Sequence, residues 1–367
     1  GLATGAWRLE AFRSKPAKGK RRRDANDPDV VVAGGALTST GAKAVAATAE
    51  ALNLARELAE TPSNHMTPTI LAKRAEQVAR SRRTLSIDVL GPREITTLKA
   101  GALLAVARGS AEQPRMIVMR YRPPKAARTT KEVLGLVGKG VTFDTGGISI
   151  KPAGGMEEMK MDMAGGAAVI AAMGLIADLE IPAEVVGVVP ATENMLGDAA
   201  MKPGDVFTAM NGTTIEVTNT DAEGRLILAD ALTYCARQGA TRIVDMATLT
   251  GAIVVAIGEV YAGLFGTDPA FTELVREAGD ETGDLCWPMP MHPGYDPLVK
   301  SPVADLSNAA KKRQAGAVYA ARFLRDFTEG VPWCHVDVAG TAMQGDHATG
   351  FGVRLAADVA SRVARLK

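Results

Sequence analysis

The sequence predicts an α/β protein, a three-layer sandwich with a central mixed, mainly parallel sheet flanked by helices. Three observations carry this expectation. Strand-like runs alternate with longer segments of helical spacing through most of the chain, the pattern of helices crossing over a largely parallel sheet. The 367 residues are 47% hydrophobic and 23% charged, enough to bury a sizeable core. Aromatic residues make up only 4% while glycine and alanine abound, so the layers are expected to pack through small side chains.

The elements follow in order. Residues 13–29 are polar, basic and unpatterned, and read as a linker or exposed loop. Lys18, Lys20, Arg21, Arg22 and Arg23 raise a nucleic-acid contact as the functional alternative to a solvated tether. A short strand is expected over 30–33. Residues 42–60 carry Ala, Leu and Glu at helical spacing, and Thr61-Pro62-Ser63-Asn64 ends that helix. A helix over 70–80 precedes strands over 85–90, 116–121 and 133–137. A helix over 163–177 has Asp162 as its expected N-cap, and a strand over 183–189 follows. Strands over 206–210 and 214–217 flank Asn211-Gly212, a strong hairpin signal. The remainder reads as a helix over 225–236, a strand over 242–247, helices over 270–281 and 316–327, a strand over 333–338 and a closing helix over 352–366. There is no internal repeat, and no low-complexity segment beyond the basic stretch.

Bulk chemistry excludes several functions. The formal net charge of +1 supplies no global field to steer nucleic acid or an anionic membrane. Apolar runs are expected to fall short of the roughly 18 residues of a membrane span. The first residues show no signal-peptide pattern, and the chain does not begin with Met, so residue 1 need not be the natural start. The 3 cysteines, Cys235, Cys286 and Cys334, are far apart and odd in number, which points to a reducing cytosol rather than a disulfide framework. There is no Cys-x-x-Cys, and the 4 histidines form no His-x-x-x-His pair. A catalytic metal would therefore depend mostly on oxygen ligands.

Two charged clusters carry the chemistry. Lys139, Asp144, Lys151 and Asp162 stand in a stretch broken by Gly138, Gly140, Gly146, Gly147, Gly154 and Gly155, while residues 219–225 hold Asp221, Glu223 and Arg225. Both clusters lie among apolar and small residues, unlike a solvated helix face, so they are expected to line a pocket. In open α/β sheets ligands bind beyond the carboxyl ends of the strands. Asp144 is expected after the strand ending near Val137, Asp221 and Glu223 after the strand ending near Val217, and Asp162 at a helix start. Four carboxylates gathered there would repel one another. Two divalent cations would neutralise them, and oxygen-rich ligation suits Mg²⁺, Mn²⁺ or Zn²⁺. The competing structural readings are a cap and ion-pair set at a helix start for Asp221, Glu223 and Arg225, and exposed loop lysines for Lys139 and Lys151. A phosphate cradle lacks its G-x-x-x-x-G-K-[ST] or G-x-G-x-x-G pattern. His335 reads as a core histidine, Trp333 and Cys334 as core, and Met159, Met161 and Met163 as space-fillers.

Residues 219–226 (NTDAEGRL) match the signature octapeptide of the leucine aminopeptidase family, the two-metal cytosolic aminopeptidases of peptidase family M17. Residues 138–144 (GKGVTFD), 146–152 (GGISIKP) and 156–162 (MEEMKMD) resemble the family's other metal-binding stretch, and 333–340 (WCHVDVAG) a further segment. The similarity runs from about residue 30 to the end. It implies a catalytic metallopeptidase domain over 30–367, preceded in 1–29 by a remnant of an amino-terminal domain and the basic linker. It implies Lys139, Asp144, Asp162, Asp221 and Glu223 as ligands of two divalent ions, Mn²⁺ or Zn²⁺, with Lys151 and Arg225 as the catalytic pair. Lys139 would have to ligate as a neutral amine. An activated water would attack the first peptide carbonyl, Lys151 would stabilise the oxyanion, and bicarbonate held by Arg225 would shuttle the proton. The side-chain pocket maps to Met159, Thr248, Leu249 and Gly251, residues that would equally suit an ordinary core or loop. The resemblance further implies peptide substrates with apolar first residues such as leucine, a cytoplasmic location and a homo-hexamer of paired trimers. A cysteinylglycine-type dipeptidase at the same site, or an added DNA-binding role through the basic stretch, are the alternatives.

Overall fold

The computed structural model describes residues 7–12, 14, 38–310, 312 and 314–366. The strand expected over 30–33, the basic block at 18–23 and most of the segment 1–29 lie outside the described residues. From there the chain runs α1 (Ser39–Glu60), α2 (Pro68–Arg80), β1 (Leu85–Leu90), α3 (Pro92–Thr97), α4 (Gly101–Ala107), β2 (Arg115–Tyr121), β3 (Val133–Gly138) and β4 (Gly140–Asp144). A 3₁₀ turn (Met156–Met161) leads to α5 (Ala164–Asp178), β5 (Glu184–Asn194), β6 (Val206–Thr208), β7 (Thr214–Glu216), α6 (Gly224–Arg237) and β8 (Arg242–Ala247). Then come α7 (Gly251–Ile257), β9 (Ala262–Gly266), α8 (Pro269–Thr282), β10 (Cys286–Pro288), a second 3₁₀ turn (Pro293–Val299) and β11 (Leu306–Ser307). The chain closes with α9 (Gly316–Arg325), β12 (Trp333–Asp337), β13 (Met343–Gln344), β14 (His347–Ala348) and α10 (Val353–Val363).

The three-layer sandwich is present. Among the described residues nine strands form the central sheet, in the order β1-β2-β5-β3-β8-β12-β9-β10 with β4 also paired to β5. The middle, β5-β3-β8-β12, is parallel, and antiparallel pairs lie outside it at β1/β2, β2/β5 and β12/β9. Strand pleating sends alternate residues to opposite faces. Leu134 and Leu136 join the core under α1, α2, α5, α8 and α10, whereas Val137 joins the core under α3, α4, α6, α7 and α9. Two apolar layers thus clamp the sheet, each fully buried Val, Leu or Ile contributing roughly 1.5–3 kcal/mol. Helix starts follow their sequence signals: Thr67 and Asp268 accept from the amides of Ile70 and Phe271, each with Pro at the first helical position.

Several expectations need correction. The stretch Met156–Asp178 is apolar and long enough, by composition alone, to cross a membrane, contrary to the sequence reading. In the fold 83% of its apolar window is buried, the position of a central core helix. Asp144 does not trail β3 in a loop but ends a strand of its own, β4. The strand before Asp221, β7, belongs to a separate three-stranded sheet, β11-β7-β6, not to the central one. Asp162 does not cap α5: Met163 holds that place without a side-chain cap, because the Asp162 carboxylate is drawn to a lysine.

Candidate metal centre

The parallel centre of the sheet sets the site. Lys139 lies between β3 and β4, its amide donating to Met246 O at 3.1 Å and its carbonyl accepting from Gly166 at 2.7 Å. Helix α5 can come this close only because it opens on glycines, since a Cβ on Gly165 would stand 2.0 Å from Met246 O. Asp144, at the end of β4, is opposite Asn194 at the end of β5. The 219–223 loop runs from the small sheet into α6, and Glu223 immediately precedes that helix.

These segments bring together six of the seven metal-binding and catalytic residues singled out from the sequence. Lys139 Nζ lies 2.7 Å from Asp162 Oδ1, 2.8 Å from Glu223 Oε1 and 2.9 Å from the carbonyl of Thr248. Lys151 Nζ lies 2.8 Å from Asp144 Oδ2 and 2.5 Å from Asp221 Oδ1. Ligand oxygens of Asp144, Asp221 and Glu223 all fall within 4.8 Å of one another. Arg225 is the seventh. It is buried and ion-pairs with none of the four acids: its Nη1 donates to Asn308 O at 2.6 Å, its guanidinium lies 5.6 Å from the ring centre of Tyr319, and its Nε has no hydrogen-bond partner among the described residues.

Burial and mutual charge govern the electrostatics. Burial pushes the Asp162 carboxyl well above its usual range, with Lys139 opposing, and also raises Glu223, where neighbouring Asp144 adds to the effect. Burial raises Asp221 too, against the bond from Lys151. Burial disfavours the Lys139 charge, yet the surrounding Asp162, Glu223 and Asp144 outweigh it and raise its pKa; Lys151 is raised in the same way, chiefly by Asp144 and Glu223. Four carboxylates share two ammonium groups here. Among the described residues Asp162 Oδ2 is buried with no hydrogen-bond partner, and Glu223 Oε1 has none either, although Lys139 Nζ is near it. Surplus buried negative charge on the closely spaced oxygens of Asp144, Asp221 and Glu223, with Asp162 joined to them through Lys139, is a donor set that fits divalent cations.

The residues expected to form a side-chain pocket adjoin this cluster unevenly. Thr248 is buried and donates its hydroxyl to Asp162 Oδ1 at 2.8 Å. Leu249 Cδ1 and Lys139 Nζ crowd the same point beside Gly224. Met159 is half-buried in the 3₁₀ turn, and Gly251 is the exposed first residue of α7. His335 is a core histidine, its Nδ1 2.6 Å from Asp245 Oδ1. Cys235, Cys286 and Cys334 are free and buried.

Sequence reasoning missed the residues that hold these groups in place. Asn194 Nδ2 donates to Asp144 Oδ1 at 2.8 Å and to Thr220 O at 3.0 Å. Thr220 and Ser149 bond reciprocally, hydroxyl to amide, which ties the Lys151 loop to the Asp221 loop. Asp337, fully buried, accepts from the amides of Leu249 and Thr250 and from the Thr250 hydroxyl. Asn308 grips the 219–223 loop from a distant segment. A lone Asn or Asp between apolar residues gave no signal; only the three-dimensional pairing does.

The family model described as the catalytic domain of the cytosol aminopeptidase family matches residues 53–357. Similar proteins named "Probable cytosol aminopeptidase" include one from Solibacter usitatus (strain Ellin6076), 53% identical over 294 residues, 80% of this chain and 60% of the relative. One from Polaromonas naphthalenivorans (strain CJ2) is 48% identical over 345 residues, 94% of this chain and 66% of the relative. Another, from Koribacter versatilis (strain Ellin345), is 50% identical over 295 residues, 80% of this chain and 57% of the relative. The chain thus spans about three-fifths of the length of the curated relatives it matches.

Proposed function

The chain belongs to the cytosol aminopeptidase family, and from that premise we propose that it is a metal-dependent aminopeptidase that hydrolyses the amino-terminal peptide bond of peptides, with apolar first residues such as leucine preferred. The observation that carries the reading is the convergence of Asp144, Asp221 and Glu223 within 4.8 Å, beside Lys139 and Asp162. In this reading Lys139, Asp144, Asp162, Asp221 and Glu223 hold two divalent cations, Mn²⁺ or Zn²⁺, with Lys139 giving up its proton to become a ligand. When bound, such cations polarise a carbonyl oxygen and make water acidic enough to lose a proton near neutral pH.

The chain's own residues do the rest. Lys151, anchored by Asp144 and Asp221 and with only 22% of its side chain exposed, presents a fixed positive charge to the oxygen that becomes negative as the carbonyl carbon turns tetrahedral. Asp162 offers an unbonded oxygen to the free α-amine of the substrate, which would restrict attack to chain ends. Arg225, with an unpartnered buried Nε, is suited to hold a small anion, bicarbonate, as a proton carrier. Thr248, Leu249, Met159 and Gly251 border the first side chain. A cytosolic location, which the relatives' name carries, and a hexamer of paired trimers complete the proposal.

The test is release of p-nitroaniline from a leucine anilide by the purified chain, before and after chelation and with Mn²⁺ or Zn²⁺ restored. Asp221→Asn should abolish metal-dependent turnover, and Lys151→Ala should lower kcat by about 100-fold or more, the scale of a lost oxyanion donor. Near-normal rates in both variants would refute the assigned roles.

A further inference from the structure

We propose that Asn308 is a positioning residue for the reaction: it fixes the loop that carries Asp221 and Glu223, and it fixes Arg225, without touching substrate. The inference rests on the roles given to those three residues above. Asn308 lies 83 residues beyond Arg225 in the chain, on a segment with no catalytic group of its own. Strand β11 delivers it by pairing in parallel with β7, Leu306 against Ile215 and Ser307 against Glu216, and the Asn308 amide extends the pairing by donating to Glu216 O at 3.0 Å.

Fully buried at 0% exposure, the side chain then spends both ends of its amide on one loop. Its Oδ1 accepts from Thr218 N at 2.8 Å and Asn219 N at 3.2 Å, while its Nδ2 donates to Asn219 O at 2.7 Å and Ala222 O at 3.3 Å. Ala222 stands between Asp221 and Glu223, so holding its carbonyl limits how both acids can turn. The main-chain carbonyl of Asn308 receives Arg225 Nη1 at 2.6 Å. One residue therefore ties the two acids and the guanidinium to a common point. Asparagine suits the task because a short side chain must accept at one end and donate twice at the other; Asp cannot donate, and Ser offers a single hydroxyl. Adjoining contacts close the clip. Thr218 Oγ1 lies 3.0 Å from Ser307 Oγ and donates to Ala309 O at 3.1 Å, and Tyr319, beneath the Arg225 guanidinium, donates to Ser307 O at 2.6 Å.

The experiment compares wild type, Asn308→Ala, Asn308→Asp and Asp221→Asn on the full chain. Three quantities are read: the dissociation constant for Mn²⁺ by competition with a chromogenic chelator, kcat and KM on a leucine anilide, and the thermal midpoint of the metal-stripped protein. Loss of support behind metal ligands should weaken Mn²⁺ binding or kcat by roughly 10–100-fold in Asn308→Ala. KM should stay within about threefold, because uniform substrate binding is untouched. Asn308→Asp keeps the acceptor and the side-chain size but turns both donations into repulsion against the Asn219 and Ala222 carbonyls, so it should move in the same direction. A residue with only a structural role would lower the thermal midpoint and leave the Mn²⁺ affinity of the folded fraction unchanged, which overturns the proposal. So would wild-type affinity and kcat in Asn308→Asp, whatever becomes of the Ala variant. If Asp221→Asn is inactive while both Asn308 variants match wild type, this inference alone fails. If Asp221→Asn is itself fully active, the metal-site reading fails and takes the inference with it.

Discussion

Replacing Gly224 by alanine should leave the fold intact and disable the site. Gly224 is the first residue of α6, where Ala is worth roughly 0.5–1 kcal/mol more than Gly on helix propensity alone. The added Cβ, however, would lie 2.8 Å from both Cε and Nζ of Lys139 and 3.0 Å from Leu249 Cδ1. Comfortable carbon contacts begin near 3.5–4.0 Å, so the tip of Lys139 must retreat by about 1 Å. From contacts of 2.7 Å to Asp162, 2.8 Å to Glu223 and 2.9 Å to Thr248 O, that retreat carries at least one beyond the roughly 3.2 Å limit of a useful hydrogen bond. Disturbing the placement of a metal ligand typically costs roughly 10–100-fold in metal affinity or activity, which sets the expected fall in kcat/KM. Nothing in the backbone need move, because the atoms in the way end flexible side chains. Initial rates on a leucine anilide at saturating Mn²⁺, beside thermal midpoints of the metal-stripped protein, separate the two effects. The expected result is an equal or higher midpoint with a crippled rate. Wild-type turnover would show that the placement of Lys139 does not matter. A midpoint many degrees lower would show that the neighbours cannot give way, and the reasoning from the glycine contact would fail on stability.

Two further outcomes follow from other parts of the structure. Asp337→Ala removes the acceptor for Leu249 N, Thr250 N and the Thr250 hydroxyl, so the 248–251 segment should loosen. The preference for leucine over alanine anilide, measured as a ratio of kcat/KM, should fall by roughly 10-fold, the discrimination a few methylenes in a fitted pocket provide; an unchanged ratio would remove this segment from the pocket. Asp230, buried in α6, accepts from the amides of Leu103 and Met210, and burial pushes its carboxyl from 3.8 up to about 7 against those bonds. A raised acid binds its proton more tightly in the folded state, so its contribution to stability is full below about pH 3.8 and is lost as pH rises through about 7. Wild type should therefore lose thermal stability relative to Asp230→Asn between pH 5 and pH 8, and a gap that instead moves in favour of wild type would overturn the sign.

Much of the site was legible because its charged residues sit in two compact, glycine-broken motifs, and most long elements were legible by their period. Strand β8 and helices α5, α6 and α8 match their predicted spans to within a residue or so. The failures have physical causes. Helix α7 and strands β9 and β10 are 7, 5 and 3 residues long, too short for a repeat to register. Strand β4 was hidden by the glycine that opens it, Gly140, and by the shift of register between Val141 and Asp144. At Asp162 the local preference of an acid for a helix start yielded to a stronger demand, the ammonium of Lys139 at 2.7 Å. Among the described residues, the segment between the second 3₁₀ turn and α9 carries only β11, two residues long, and its importance arises from pairing with β7 across more than eighty residues of chain, which no window of sequence can reveal.

The same contrast explains why the residues that brace the acids themselves, Asn194, Thr220, Ser149 and Asn308, are polar and uncharged. Asp144, Asp162 and Glu223 are buried and Asp221 is half-buried in the same cluster, and repulsion between like charges there acts to spread them. Holding them together with more charge would alter the balance any bound cation must meet. Holding them by backbone alone would require every residue to lie within a ladder, yet Asp221 and Glu223 lie in a loop. Neutral amides and hydroxyls resolve the conflict. Asn194 fixes Asp144 and the Thr220 carbonyl together, Thr220 and Ser149 join the two charged loops, and Asn308 clasps the backbone on both sides of Asp221. Each donates or accepts without adding net charge, so the geometry is set before a cation arrives while the negative surplus that would attract it is preserved. The ligands announce themselves in the sequence because their chemistry requires charge; the residues that hold them stay silent because theirs requires neutrality.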